Sequence, residues 1–130
     1  MQEDVYKKLI NDTVNMTVLK LKMAGLMRDE RKSAYQKTEE LLRNYKSLKE
    51  SDQPYTLKVI NAVDKALAEL KKDCYYYQII ELIYFEGKSR EYVAEYFNTT
   101  ETTISRNKNK LINKLKAALF SDDFILDLFL

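Results

Sequence analysis

Polar side chains that can read DNA bases or bind backbone phosphates are concentrated between residues 100 and 114. Arginine binds the guanine edge through two hydrogen bonds and asparagine binds adenine in the same way, so Arg106 and Asn109 are candidate base-reading residues. Lysines bind phosphates, which supply affinity without sequence information. The candidate DNA-binding residues are Thr100, Thr102, Thr103, Ser105, Arg106, Lys108, Asn109, Lys110 and Lys114.

Catalytic and metal-binding chemistry has little support in the composition. The chain of 130 residues has no histidine and a single cysteine, Cys74. A histidine-activated nucleophile and a zinc site built from Cys and His ligands are therefore both excluded. The two glycines, Gly25 and Gly87, are too far apart to form a glycine-rich phosphate loop. We expect no enzyme activity and no cofactor.

The spacing of small and apolar residues over residues 90–109 is typical of a helix-turn-helix motif. Two short helices that cross at a steep angle need a small residue at the crossing, and Ala94 has that position. Three apolar residues fill the space beneath the crossing: Val93, Phe97 and Ile104. The turn needs one residue in the left-handed region, which Asn98 adopts more easily than most non-glycine residues.

Both helices of the motif have residues that favour a helix start. Ser89 precedes the first helix and Thr100 precedes the second, and both residue types are frequent N-caps. Glu101 lies in the first turn of the second helix, where its charge stabilises the positive end of the helix dipole. In such a motif the second helix, here residues 101–119, lies in the major groove of double-stranded DNA.

The charge distribution agrees with this interpretation. The whole chain carries a net charge of +2, which is too close to balance to indicate a nucleic-acid partner by itself. Residues 88–116 contain seven basic and three acidic residues, a net charge of +4, so basic charge is concentrated in the motif. A plain helical hairpin with a solvated lysine-rich face has the same apolar pattern and stays open as an alternative.

The rest of the chain also predicts helices, and hence an all-α fold. Ser33 and Gln36 resemble a capping box, and the apolar stripe that follows runs to Leu48 as one helix. Pro54 ends this segment, since proline disfavours helical geometry in the residue before it. We divide the chain into a helical N-terminal arm (1–53), a helix-turn-helix domain (54–120) and an apolar C-terminal tail (121–130).

Local features outside the motif are predicted as well. Asp73 is expected to cap the helix that follows it, and Gly87 is expected to end that helix in the left-handed conformation. The tyrosines at 75–77 are interpreted as partly buried core residues with their hydroxyls at the surface, because they precede an apolar run. Residues 5–27 are only loosely helical, since part of this stretch alternates as a strand would.

Two stretches of the chain resemble known families. Region four of bacterial sigma factors is similar to the segment from Tyr75 to Leu119, YYYQIIELIYFEGKSREYVAEYFNTTETTISRNKNKLINKLKAAL, including the turn at Glu86-Gly87. The N-terminal part of the ArpU family of phage regulators is similar to the segment from Gln36 to Tyr45, QKTEELLRNY. In that family a helical arm precedes a sigma-like helix-turn-helix, so the two pieces occur here in the same order.

The resemblance implies a transcriptional regulator of phage or prophage late genes that binds promoter-region DNA. It leaves contact with RNA polymerase or with a sigma factor open. A full sigma factor also carries a region that melts the −10 element, and the stretch before the motif is too short for that region. The resemblance therefore implies a protein that depends on a host or partner sigma factor to open a promoter.

Two other functions stay open at this point. A DNA-packaging subunit similar to the small terminase subunit of phages also combines a helix-turn-helix with helical oligomerisation. In the second alternative, the sigma-like motif is a protein-interaction surface that binds polymerase or a sigma factor and not DNA.

The tail and the bulk composition set expectations about assembly and location. The tail contains six apolar residues, Phe124, Ile125, Leu126, Leu128, Phe129 and Leu130. Such a patch is rarely left exposed, so we expect it either to fold onto the chain's own core or to form a homodimer. A single cysteine fits a reducing compartment, and no stretch resembles a secretory signal or reaches the roughly 18 apolar residues of a membrane span. We expect a cytoplasmic location and no membrane partner.

Overall fold

The computed structural model describes Met27 and residues 31–121, and every regular element among them is a helix. The prediction of an all-α fold is therefore confirmed. The predictions for residues 5–26 and for residues 122–130 of the tail concern parts of the chain that lie outside the described residues. Within the described ranges, no helix has both the length and the apolarity needed to cross a bilayer.

Helix α1 (Ala34–Arg43) begins at the predicted capping box. The Gln36 backbone N–H donates to the Ser33 hydroxyl at 3.1 Å, and the Ser33 N–H donates to the Gln36 side-chain oxygen at 2.9 Å. These two bonds satisfy N–H groups that a helix start otherwise leaves without partners. The start of the helix is thus encoded by residues adjacent in sequence.

A short second helix, α2 (Tyr45–Lys49), begins where the apolar stripe predicted one unbroken helix. The break lies at Asn44, whose backbone has φ −98° and ψ 5°. Its side-chain amide donates to the Glu40 carbonyl at 2.9 Å. Because asparagine side chains compete with the backbone for helix hydrogen bonds, the helix is interrupted here, while Leu42 and Leu48 on its two sides stay buried.

Helix α3 (Pro54–Asp73) starts at proline, whose missing N–H has no helical partner to lose in the first turn. Lys71 and Lys72 lie in its last turn, where positive charge stabilises the end of the helix. Asp73 is the last residue of α3, and Cys74 occupies the N-cap position of the next helix with no side-chain bond. The prediction that Asp73 caps that helix is therefore wrong.

The helical segment α4 (residues 75–85) changes its pitch along its length. It consists of a 3-10 turn, a short α-helical stretch and a π-helical stretch: Tyr75–Tyr77, Gln78–Ile80 and Glu81–Phe85. The Lys88 N–H donates to the Leu82 carbonyl at 2.8 Å, so a backbone hydrogen bond across the turn closes the end of the π-helical stretch. Gly87, with φ +69°, provides the left-handed residue of this ending, as predicted.

Helix α5 (Arg90–Tyr96) and helix α6 (Glu101–Leu119) follow. Helix α6 lies at the centre of the fold, because it packs against α1, α3 and α5. Its buried residues are Ile104, Leu111, Ile112, Leu115 and Leu119. Residues at this spacing share one side of a helix, so the opposite side of α6 is directed towards solvent.

One apolar core joins the described helices of the arm to the helix-turn-helix. Leu41 of α1, Val59 of α3 and Ile112 of α6 belong to the same buried cluster, and each is 0% exposed. Helices on both sides of Pro54 contribute to this cluster. The arm helices α1 and α2 are therefore part of the body that carries the motif.

Because Leu41 is buried in this shared core, we expect Leu41→Ala to lower the free energy of unfolding by about 2–5 kcal/mol, the usual cost of truncating a large buried side chain. Urea denaturation followed by circular dichroism measures the change. Lys46→Ala at an exposed position of α2 is the control and should cost less than about 0.5 kcal/mol. An early, separate transition of the arm would contradict the shared core.

Candidate nucleic-acid interface

The turn between α5 and α6 has the backbone geometry predicted for a helix-turn-helix. Asn98 has φ +52°, in the left-handed region, as predicted. The Thr99 N–H donates to the Ala94 carbonyl at 2.9 Å, and the Asn98 N–H donates to the Glu95 carbonyl at 3.0 Å. These bonds close the end of α5, so the chain changes direction and α6 begins directly after the turn.

The residues predicted beneath the crossing are buried to different degrees. Val93, Ala94 and Ile104 are at most 6% exposed, as predicted. Phe97 is half-buried, and its ring packs at centroid distances of 5.9, 5.1 and 4.9 Å against Tyr75, Tyr76 and Tyr96. Phe97 therefore lies at the edge of the core, next to an exposed group of aromatic rings.

Both motif helices begin at the predicted N-caps. The Tyr92 N–H donates to the Ser89 hydroxyl at 3.1 Å, and the Thr103 N–H donates to the Thr100 hydroxyl at 3.2 Å. The hydroxyls of Thr100 and Thr103 also lie 3.0 Å apart, within hydrogen-bond distance. These two threonines, both predicted to bind DNA, therefore stabilise the start of α6 and fix the direction in which it leaves the turn.

The side of α6 opposite the core, which we call the outer face, carries Thr102, Arg106, Lys110 and Asn113. All four residues are exposed, and spacings of three and four residues place them on one side of the helix. None of their side chains has a hydrogen bond or ion pair to another described residue. These side chains can therefore bind a ligand without first breaking an internal bond.

Ser105 lies beside the outer face and connects α6 to α5. The guanidinium of Arg90, the first residue of α5, donates to the Ser105 hydroxyl at 3.0 Å. Because Arg90 is exposed, this bond holds a cation next to the outer face without burying its charge. Ser105, predicted to bind DNA, thus has a second role in positioning a basic side chain.

Two predicted DNA-binding residues, Lys108 and Asn109, lie against α1. The Tyr35 hydroxyl donates to Asn109 Oδ1 at 2.7 Å, and Lys108 Nζ lies 3.8 Å from Glu39 Oε2. The Lys108 side chain is only 23% exposed. Bidentate pairing with adenine uses the amide oxygen of asparagine, and Tyr35 already occupies one of the two acceptor positions of that oxygen.

Glu39 is the centre of this contact between α1 and α6. Its carboxylate accepts a 2.6 Å hydrogen bond from the Tyr84 hydroxyl and lies 3.4 Å from the Arg43 guanidinium, while its side chain is 15% exposed. Burial, followed by the hydrogen bond and charge of Glu39, raises the pKa of Tyr84 well above its usual value. Burial, with a smaller effect of Glu39, also raises the pKa of Tyr35. A buried carboxylate needs such donors, and here they tie α1 to α4 and α6.

The remaining predicted residues, Lys110 and Lys114, border a cleft between α6 and the start of α4, which we call the tyrosine cleft. Its volume is about 140 Å³, and its lining residues are Cys74, Tyr75, Tyr76, Asn107, Lys110, Leu111 and Lys114. Lys114 Nζ lies 3.6 Å from Cys74 Sγ. The cleft therefore places two exposed lysines beside aromatic rings at the edge of the outer face.

Exposed basic residues thus lie on both sides of the outer face, with Arg90 on one side and Lys114 on the other. Lys88, before α5, lies over the Tyr92 ring at 5.0 Å from its centroid. Across residues 31–121 and Met27, no cluster of three or more His, Cys, Asp or Glu side chains could hold a metal ion. The chemistry of this surface is that of a cationic, hydrogen-bonding face.

The exposure of Tyr75 contradicts one sequence-based interpretation. Residues 75–77 were expected to be partly buried core residues with surface hydroxyls, but Tyr75 is 79% exposed. Tyr77 is buried, at 6% exposure. Tyr76 is half-buried. A 3-10 turn has three residues per turn, so three consecutive side chains point in three directions and cannot all face the core.

Two further residues of this surface, Arg90 and Asn113, are missing from the predicted set. Asn113 continues the helical spacing of Thr102 and Arg106, so extending the periodicity would have found it. Arg90 has no comparable signal, because its bond to Ser105 joins two helices at an angle that the sequence does not specify.

No family model, no curated protein and no solved structure matches this chain. The sigma-like and ArpU-like resemblances therefore stay predictions. Any function assigned to the chain has to be supported by the geometry of the described residues together with the sequence pattern.

The left-handed conformation of Asn98 leads to a stability prediction. Asn98→Gly should keep the free energy of unfolding or raise it slightly, because glycine pays no steric penalty at positive φ. Asn98→Ala should lower it by about 1 kcal/mol, since alanine rarely adopts this conformation. Urea denaturation of the two variants gives the comparison, and equal stability of the alanine and glycine variants would contradict the left-handed turn.

The buried tyrosines predict a loss of stability at alkaline pH. Burial and the charge of Glu81 raise the pKa of Tyr77 to about 12, and the pKa of Tyr84 is raised as well. The folded protein therefore keeps these protons at a pH at which the unfolded chain, with a tyrosine pKa of about 10, releases them. The stabilisation is fully present below about pH 10 and is lost as the pH rises towards the folded pKa values.

We expect the Tyr84→Phe variant to reduce this alkaline loss, because phenylalanine has no proton to release. At neutral pH the variant should be less stable by about 1–3 kcal/mol, since the Glu39 carboxylate loses a donor. Urea denaturation at a series of pH values from neutral to about 11 measures both effects. Equal pH dependence in the wild type and in Tyr84→Phe would show that Tyr84 has no part in it.

Proposed function

We propose that this chain is a sequence-specific, double-stranded-DNA-binding transcriptional regulator that inserts α6 into the major groove. One observation carries the proposal: the outer face of α6 is exposed and its side chains have no partner among the described residues, while the opposite side of the helix is fixed in the core. Helix-turn-helix proteins present their second helix to DNA in this way. The capped helix starts and the left-handed turn at Asn98 support the same motif.

The dimensions of the helix and of the groove agree with this proposal. An α-helix with its side chains is about 10–12 Å across, and the major groove of B-DNA is about 12 Å wide. The N-terminal turns of α6 carry Thr102 and Arg106, and a later turn carries Asn113. Several successive turns of α6 can therefore face base edges.

The side chains differ in what they contribute. Arg106 can bind guanine through two hydrogen bonds and is our principal candidate for base recognition, with Thr102 and Asn113 as further polar contacts. Arg90 and Lys114 lie at the two sides of the outer face, where backbone phosphates would lie. Phosphate contacts hold the protein in register on the duplex, and base contacts give the sequence preference.

The resemblances described above extend the proposal to a biological setting. A sigma-like motif behind an ArpU-like arm supports regulation of phage or prophage late genes from promoter-region DNA. In this setting the protein works together with a host or partner sigma factor in the cytoplasm. Because α1 packs on α6, the arm supports the motif directly in this proposal.

One observation favours a second candidate function, the binding of RNA polymerase or a sigma factor. Tyr92 and Tyr96, four residues apart on α5, are 45% and 56% exposed. Exposed tyrosines are frequent in protein interfaces. The two functions differ in the residues they use, because these tyrosines belong to α5 and the outer face belongs to α6.

Selection of duplexes from a random library, followed by fluorescence anisotropy over a salt series, tests the DNA-binding proposal. We expect affinity for the selected duplex to fall steeply with salt. Arg106→Ala should cost about 1–3 kcal/mol on that duplex and little on a random one. Lys65→Ala, an exposed lysine on α3, is the control and should leave the preference unchanged.

Absence of any duplex binding above background would contradict the proposal. Retention by polymerase or a sigma factor that Tyr92→Ala and Tyr96→Ala abolish, without DNA binding, would establish the second function. DNA binding with no sequence preference and no effect of Arg106→Ala would reduce the proposal to non-specific phosphate binding.

A further inference from the structure

The tyrosine cleft is concave and cationic. Base recognition by the outer face does not explain why it is there. It lies where the first turn of α4 approaches the middle of α6, and its volume of about 140 Å³ can hold several waters or one small polar group. Its lining contains two lysines and no acidic residue. An anionic group is therefore the ligand that its charge favours.

The positive charge at the cleft is not neutralised within the described chain. Lys110 is exposed and has no ion pair to a described residue, and the Lys114 ammonium has a thiol, Cys74 Sγ, as its neighbour at 3.6 Å. Glu69 and Asp73 line the adjacent groove on the other side of Lys114, and neither forms an ion pair with it. Cys74 and Lys114 lie at the boundary between the groove and the cleft, since both residues line both of them.

Tyr75 forms an exposed wall of the cleft and is held in place although solvent surrounds most of it. Its ring packs edge-on against Tyr76 at 5.0 Å and tilted against Phe97 at 5.9 Å. Phe97 is the C-cap of α5, so Tyr75 is anchored on the motif's own turn. Its hydroxyl makes no hydrogen bond to a described residue and is available as a neutral donor to an anionic oxygen.

The position of the cleft relative to the outer face indicates which anion it meets. A helix in the major groove has a phosphate backbone along each of its sides, because the groove is only about as wide as the helix. Arg90, held by Ser105, lies at one side of the outer face. Lys110 and Lys114 open the tyrosine cleft at the other side, so cations border the helix where both backbones would pass.

We infer that the tyrosine cleft binds one phosphodiester of the DNA backbone, with Lys110 and Lys114 as its cations and the Tyr75 hydroxyl as a hydrogen-bond donor. This inference rests on the proposed function and adds a specific contact to it. It assigns a phosphate-binding role to Tyr75, and it makes the start of α4 part of the DNA-binding surface. The contact fixes the register of α6 in the groove and contributes no base preference.

Anisotropy titrations of the full chain on its selected duplex and on a random duplex test the inference, with Lys114→Gln and Tyr75→Phe as variants. Lys114→Gln should weaken binding to both duplexes by about 3- to 10-fold and reduce the salt slope by about one unit. Tyr75→Phe should weaken binding by about 2- to 10-fold, as expected for one neutral hydrogen bond. The matched control, Lys65→Gln at an exposed position of α3, should bind like the wild type.

A duplex series in which single phosphates are replaced by neutral methylphosphonates locates the contact. One substitution should weaken the wild type but cause no further loss in Lys114→Gln, because the same charge pair is already removed. Variants that bind like the wild type, while Arg106→Ala still removes the sequence preference, would overturn the inference and leave the proposed function intact. A wild-type chain that binds no duplex would overturn both.

Discussion

Burial of one side of α6 is the constraint on which the rest of the structure depends. Ile104, Ile112 and Leu115 are at most 1% exposed, and they hold the helix against α1, α3 and α5. Because a helix is rigid over this length, fixing one side determines where the other side points. The direction of Arg106 is thus set by buried apolar residues on the opposite side of the helix. The same burial explains why the arm helices and the motif share one core.

The polar contacts around Glu39 divide the predicted DNA-binding residues into two groups. Glu39 lies near Lys108 and accepts a bond from Tyr84, while Tyr35 bonds to Asn109. These contacts bind α1 to the side of α6. The Glu39 carboxylate is largely shielded from water there, and a shielded carboxylate without hydrogen-bond donors would lower the stability of the fold. The side chains of the outer face, by contrast, have no hydrogen bond or ion pair to another described residue. The arm therefore narrows the set of side chains that project from α6 without an internal contact, and it stabilises the helix that carries them.

The changing pitch of α4 connects the core to the surface. Its 3-10 start directs Tyr77 inward and leaves Tyr75 at the tyrosine cleft, and its π-helical end contains Tyr84, which reaches Glu39. A regular α-helix would space these side chains differently, because it has 3.6 residues per turn throughout. Irregular pitch is frequent near functional sites. Here it allows one short segment to contribute both to the contact between α1 and α6 and to the cationic edge of the outer face.

Sequence alone determined the features that depend on near neighbours: the helical class, the caps at Ser33, Ser89 and Thr100, and the left-handed turn at Asn98. The bonds that close these features join residues only a few positions apart, so residue type and spacing were sufficient. At Asn44 the apolar stripe favoured a continuous helix, whereas the asparagine side chain favoured an interruption. The stripe alone therefore did not show where α1 ends. Only the tertiary structure decided that α1 holds Lys108 and Asn109, and that Tyr75 is exposed. Periodicity identifies the apolar side of a helix, but it does not specify which neighbours pack along its edges.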